Sequence, residues 1–124
     1  MRQEDKELLL KDLCARLPYG VKIQVPYEDG SGYFDETVWE VNNEGPFYVN
    51  GWGIEYEYVK PYLFPLSSMT EEQKKEYQYI TERWMYDSSY SISDSTDWLN
   101  KNHFDYRGLI KKGLAIDATG LNIY

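Results

Sequence analysis

Between Leu8 and Val25 the spacing of apolar residues changes from helical to extended, and Pro18-Tyr19-Gly20 marks the change. Leu10, Leu13, Cys14 and Leu17 fall at i, i+3, i+4 and i+7, and Leu9 joins their stripe, so the spacing predicts a helix from about Glu4 to Leu17. That stripe puts Cys14 on the buried face, where a thiol acts as an inert small hydrophobe. Beyond Gly20, Val21, Ile23 and Val25 alternate with Lys22 and Gln24, the signature of a half-buried strand that Pro26 closes. An amphipathic helix followed by period-2 strands must cover one with the other, which selects the α+β class.

The strand pattern continues. Glu28-Asp29-Gly30-Ser31-Gly32 reads as a turn, Tyr33 to Val41 as a second strand, and Asn42 to Pro46 as another turn. Phe47-Tyr48-Val49 and Ile54 to Val59 read as third and fourth strands around Asn50-Gly51-Trp52-Gly53. Four short strands in so little chain form an antiparallel meander or close into a small SH3-like barrel. In Lys60 to Leu66, Pro61 and Pro65 cannot donate to a ladder, so this segment is expected to lie across the barrel as a seam and not to enter a sheet.

After the seam the period returns to helical. Ser68 with Glu71 and Thr70 with Gln73 form overlapping capping boxes, and Tyr77, Ile80 and Trp84 supply an apolar face. Asp94 or Ser95 can cap a second helix carrying Trp98 and Leu99, and Asp105 a third through Leu109 and Ile110 that stops at Gly113. Leu114-Ala115-Ile116 is a candidate last strand. The expected architecture is therefore an N-terminal helix, a small antiparallel SH3-like barrel or meander of about four strands, and three C-terminal helices. With 124 residues the chain reads as one domain, with subregions 1–66 and 67–124.

Thirteen basic and twenty-one acidic residues give a formal charge of −8, which opposes phosphate-tracking surfaces, so no duplex nucleic acid partner is expected. The acidity is uneven: residues 1–66 carry six basic and twelve acidic groups, residues 67–124 seven and nine. No apolar run is long enough to cross a bilayer, the first residues do not resemble a signal peptide, and the single cysteine fits a reducing compartment, so the chain reads as cytoplasmic. Oligomeric state leaves no signal.

Motifs for chemistry are sparse. His103 is the only histidine, no G-x-S-x-G frame is present, and one histidine with one distant cysteine cannot make a zinc site without carboxylates. Gly51-Trp52-Gly53 lacks the rest of a dinucleotide fingerprint, so no cofactor, metal or catalytic residue is assigned. Glu28, Asp29, Asp35 and Glu36 could hold a cation loosely around their turn but match no calcium loop, and Glu55 and Glu57 read as a solvated face.

The aromatic content stands out, with thirteen Tyr and four Trp against four Phe. Tyr48, Trp52, Tyr56, Tyr58 and Tyr62 are candidate binding residues: gathered on one barrel face they would make a groove for a peptide or protein partner. The structural alternative makes them core and cross-strand pairs.

The stretches Leu8 to Val21, Lys60 to Glu72 and Asn102-His103-Phe104-Asp105-Tyr106-Arg107-Gly108-Leu109-Ile110 resemble a family of small uncharacterised proteins common in gut Bacteroides genomes and their prophage and mobile elements. That resemblance covers roughly half the chain and implies no activity, cofactor or catalytic residue. It draws attention to His103, Asp105, Tyr106 and Arg107 as a second candidate site. Structurally, Asp105 would cap, Tyr106 pack and Arg107 pair with an acid of the first half. Three readings result: a non-enzymatic protein- or peptide-binding module using exposed Tyr and Trp, an acidic inhibitor or DNA mimic of mobile-element origin, or a small hydrolase or transferase using His103 with Asp105 or Asp117.

Overall fold

The first helix, α1 (Gln3–Arg16), carries Glu4 and Asp5 in its first turn and Arg16 in its last, complementing its dipole at both ends. A 3-10 turn over Leu17–Tyr19 and Gly20, at φ 70, stop it. Residues 1–42, 45–48, 52–53, 55–83, 85–87, 89 and 91–124 are described by a computed structural model. The buried stripe of α1 is Leu9, Asp12, Leu13 and Arg16: Leu9 and Leu13 of the expected stripe are in it, Leu10 and Leu17 are partly buried, and Cys14 is exposed. The phase is rotated because an internally paired Asp12 and Arg16 take two of the inward positions, while Leu8, Leu10 and Leu17 pack at the flank of the core.

Strands β1 (Lys22–Pro26) and β2 (Tyr33–Val41) form an antiparallel hairpin from Lys22↔Thr37 to Pro26↔Tyr33. Its turn is closed by Gly30 N–H to Tyr27 C=O and by Ser31 N–H to Asp29 Oδ1. Hydrogen bonding from the Ser31 side chain, and then from its backbone N–H, holds the Asp29 carboxyl below the usual carboxylate range. The turn once considered for a cation thus uses Asp29 to order its own backbone. Short strands β3 (Pro46–Tyr48) and β4 (Trp52–Gly53) extend the sheet beyond β2, after a bulge between Val38 and Glu40.

The expected SH3-like barrel or antiparallel meander is not what forms. Lys60–Pro65, read from its prolines as a seam outside any sheet, is the interior strand β5 of a seven-stranded mixed sheet. It pairs antiparallel with β1, and parallel with both β6 (Phe104–Asp105) and β7 (Ile116–Asp117). Backbone alternation explains how the prolines are tolerated. Phe64 N–H donates to His103 C=O along one edge of β5, while Leu63 C=O accepts from Ala118 N–H along the other. Pro61 and Pro65 share the Leu63 edge, where the ladder with β7 covers only Tyr62 and Leu63, so neither missing N–H breaks a rung.

Parallel pairing requires a crossover. Helices α2 (Glu71–Arg83) and α3 (Ile92–Lys101) supply it between β5 and β6. Thr70 and Gln73 cap α2 reciprocally, as their spacing predicts, whereas the Ser68 hydroxyl donates instead to Pro65 C=O. Helix α3 starts earlier than expected, with Ser91 N–H donating to Asp94 Oδ2. Two further expectations are corrected. The fourth strand at Ile54–Val59 is replaced over Tyr56–Tyr58 by a 3-10 turn, Ile54 lying outside the described residues. Of the three expected C-terminal helices the described residues form two, because residues after Asp105 form turns that Gly113 ends at φ 75.

The main core joins Leu9 and Leu13 of α1 to Val21, Ile23, Val25, Val38, Leu63 and Leu109. A second cluster of Trp98, Leu99 and Phe104 packs against Phe64, Tyr77 and Ile80. Trp98 stacks on Phe104 with ring centroids 5.6 Å apart. The α3–β6 corner, where His103 lies, is therefore held from beneath by aromatic packing.

Candidate functional site

The segment from His103 to Arg107 is where α1, α3 and β5 meet, and charge holds it. Asp12 and Arg16 are both fully buried; Arg16 Nε donates to Asp12 Oδ2 at 2.9 Å and Arg107 Nη1 to Asp12 Oδ1 at 2.7 Å. Arg16 Nη2 donates to Phe104 C=O at 2.6 Å. Buried carboxylates are tolerated only when paired and hydrogen-bonded in this way. Both guanidinium groups lie near the Tyr106 ring, at 5.4 Å for Arg16 and 4.5 Å for Arg107, and the Tyr106 hydroxyl donates to Asn100 Oδ1. Asp105 accepts from Leu109 N–H and Ile110 N–H, both at 2.9 Å. Asp105 thus caps a turn, Tyr106 packs and Arg107 binds an acid of the first half, which is a structural use of three of the four residues flagged in this segment.

His103 is different. It occupies the left-handed region at φ 61 directly after α3, a position that glycine fills by default. Its ring is only 7% exposed and stacks on Tyr124 with centroids 3.7 Å apart and planes 10° apart. Among the described residues Nδ1 is buried without a partner. Burial, with smaller contributions from the Arg16 and Lys22 charges, pushes the imidazole down to about 4, so the ring is neutral at pH 7.

Tyr124 completes this corner through its hydroxyl. The β1–β5 register pairs Gln24 with Lys60 and Ile23 with Pro61, so Lys22 and Tyr62 come next. They are joined through a side chain: Lys22 N–H donates to the Tyr124 hydroxyl at 2.9 Å, which donates to Tyr62 C=O at 2.8 Å. Lys22 Nζ also donates to Ile123 C=O. Burial raises the Tyr124 phenol well above its usual range, which keeps that donor protonated.

Around the His103–Tyr124 stack lies an open cleft of about 510 Å³. Its walls are Phe64 of β5, Ser68, Thr70 and Gln73 at the start of α2, residues 101–104 of the α3–β6 corner, and Thr119, Gly120 and Tyr124. A cleft of this size suits a small ligand, since such sites typically span roughly 300–1,000 Å³.

The five aromatic candidates do not gather beside it. Tyr56 is 2% exposed, its hydroxyl donating to Asn42 C=O, and burial raises the phenol to about 12. Tyr62 is likewise buried, its hydroxyl bonded to Asp35 and accepting from Gln24, and burial again raises it to about 12. Tyr58 is 54% exposed, because three residues per turn aim it away from Tyr56. The side chains of Tyr48 and Trp52 lie outside the described residues. Nor does either proposed carboxylate orient His103: Asp105 is committed as above, and Asp117 accepts from Thr119 N–H.

Among the described residues no three His, Cys, Asp or Glu side chains converge as metal ligands, and no helix is long and apolar enough to cross a membrane. Asp12, Arg16, Lys101 and Tyr124 are the site residues that motif reasoning passes over. The Asp12–Arg16 spacing of four on an amphipathic helix is a readable signal; nothing local marks Tyr124. Comparison with protein-family models, curated proteins and solved structures finds no match for this chain.

Proposed function

We propose that the chain is a binding module whose ligand, a small molecule or the end of a peptide, sits in the cleft over His103. The observation that carries this reading is a histidine held at φ 61 in the cleft wall, where glycine would be unstrained. Non-glycine residues in that region cost on the order of 1 kcal/mol and concentrate at functional positions. A neutral imidazole with no carboxylate behind it is suited to donating or accepting one hydrogen bond and poorly suited to relaying protons. The ligand surface expected on the Tyr and Trp strands moves accordingly to the α3–β6 corner, because Tyr56 and Tyr62 are committed to the interior.

The test is a two-dimensional amide NMR titration of the full chain with a fragment set spanning neutral, cationic and anionic compounds. Shifts should cluster at residues 101–104 and 119–124. Thr119→Trp, which puts an indole at the cleft rim, should abolish them while leaving the rest of the spectrum intact. Absence of any such cluster at millimolar fragment, or undiminished binding by the Trp variant, would overturn the reading.

A further inference from the structure

We infer that the group recognised in this cleft is a carboxylate carried on a flat or aromatic body. The inference rests on the cleft being a binding site and adds the chemistry of its ligand. The chain carries twenty-one carboxylate residues and a formal charge of −8, yet among the described residues none of their side chains lines the cleft. The one charged side chain in its walls is Lys101. Counted over side chains, local and global charge therefore have opposite signs, which favours an anion at this place, with the main-chain carboxylate that Tyr124 carries as the last residue of this sequence as a counterweight.

Three neighbouring acids have other partners. Asp105 caps the turn at Leu109 and Ile110, Asp117 accepts from Thr119 N–H, and Glu71 pairs with Lys74 at 3.2 Å. What remains in the walls is rich in donors. Gln73 Oε1 accepts from Thr70 N–H at 2.9 Å, which leaves its NH₂ as the group able to serve a ligand. Lys101 offers three donors. The neutral imidazole of His103 carries one N–H donor and one acceptor nitrogen. The beginning of α2 adds little, because Thr70 and Gln73 cap each other there and Glu71 and Glu72 already stand in its first turn. Asn102 is a further counterweight, because its Nδ2 donates to Trp98 C=O and leaves an acceptor.

The kind of anion follows from what is missing and from the apolar walls. No arginine lines the cleft, and a dianionic phosphate is ordinarily held by arginine forks or several cations. A single lysine with neutral donors balances a monoanion. Phe64, Phe104 and Tyr124 supply apolar surface against which a flat body can lie. A free aromatic acid and a peptide's terminal carboxylate share this chemistry.

Amide NMR titration of the full chain at low salt separates the possibilities. The probes are benzoate, benzamide, benzylammonium, inorganic phosphate, and N-acetyl-Gly-Phe as acid and as amide. Benzoate should bind about fivefold more tightly than benzamide, and the peptide acid should likewise exceed its amide. Lys101→Met should bring each acid down to its amide without weakening the amides, and 0.5 M salt should shrink the preference. Whichever acid binds more tightly identifies the source, and either result supports the carboxylate. Benzamide, benzylammonium or phosphate shifting the cleft amides at lower concentration than benzoate would overturn this inference and leave the cleft reading standing. Silence from every probe and from the fragment set would overturn both.

Discussion

Replacing Asp12 with alanine removes the acceptor shared by two arginines. Asp12 and Arg16 side chains are at 0% exposure and Arg107 at 15%, so Arg16 cannot recover its lost partner from water. Arg16 Nη1 is already buried without a partner among the described residues, and the substitution leaves Nε in the same condition. Breaking a buried ion pair from one side costs about 3–5 kcal/mol, and domains of this size unfold with roughly 5–15 kcal/mol in total. With a urea slope of about 2 kcal/mol/M, the unfolding midpoint should fall by roughly 2 M. The assay is urea denaturation at pH 7 followed by far-ultraviolet circular dichroism and by tryptophan fluorescence. The triple variant Asp12→Leu, Arg16→Met and Arg107→Met, which removes all three charges, should recover most of that loss. A midpoint shift for Asp12→Ala below about 0.5 M would refute the claim that this carboxylate fastens α1 to the His103–Arg107 segment.

His103 makes stability depend on pH with a definite sign. Its folded value of about 4 lies below the ordinary 6.5, so the unfolded chain takes up the proton first, and stability that is full above pH 6.5 declines towards pH 4, by roughly 3 kcal/mol in all. Denaturation midpoints between pH 7.5 and 4.5 should show that slope in the parent and lose it in His103→Asn, a substitution that tolerates the left-handed backbone; an unchanged slope would show that other groups cause it. Tyr124→Phe should cost about 2 kcal/mol by orphaning Lys22 N–H and Tyr62 C=O, and hydrogen exchange at the Lys22 amide should quicken. Unaltered protection at Lys22 would mean that the two strands can close directly.

Local patterns carried three local features of the fold, although not the barrel, the fourth strand or the seam. The α1 helix, the β1–β2 hairpin and the Thr70–Gln73 cap all rest on interactions within about fifteen residues, and each is visible in residue spacing. The sheet's centre was hidden because the rule against proline in an interior strand is a statement about N–H direction. Pro61 and Pro65 satisfy it by facing an edge that β7 covers only between them. The phase of α1 was misread for a related reason: a charged pair counts as polar in a periodicity, yet Asp12 and Arg16 neutralise each other and go inside. Asp105 looked like a helix cap and does bind two backbone N–H groups, but nothing in the sequence shows that a turn follows in place of a helix. At the candidate site, His103 was legible as the sole histidine, whereas its stack with Tyr124 and the cleft around it depend on parallel strands contributed from far along the chain.

The hydroxyl rung between β1 and β5 has a kinetic consequence. The hairpin of β1 and β2 closes a loop of a few residues and can form in microseconds. The Lys22–Tyr62 rung cannot close by local search, because the oxygen that bridges it belongs to a residue 102 positions from Lys22 and 62 from Tyr62. Closure over such separations carries a large entropic cost before any contact repays it. The β1–β5 seam is therefore finished late, when residues 118–124 settle against β5.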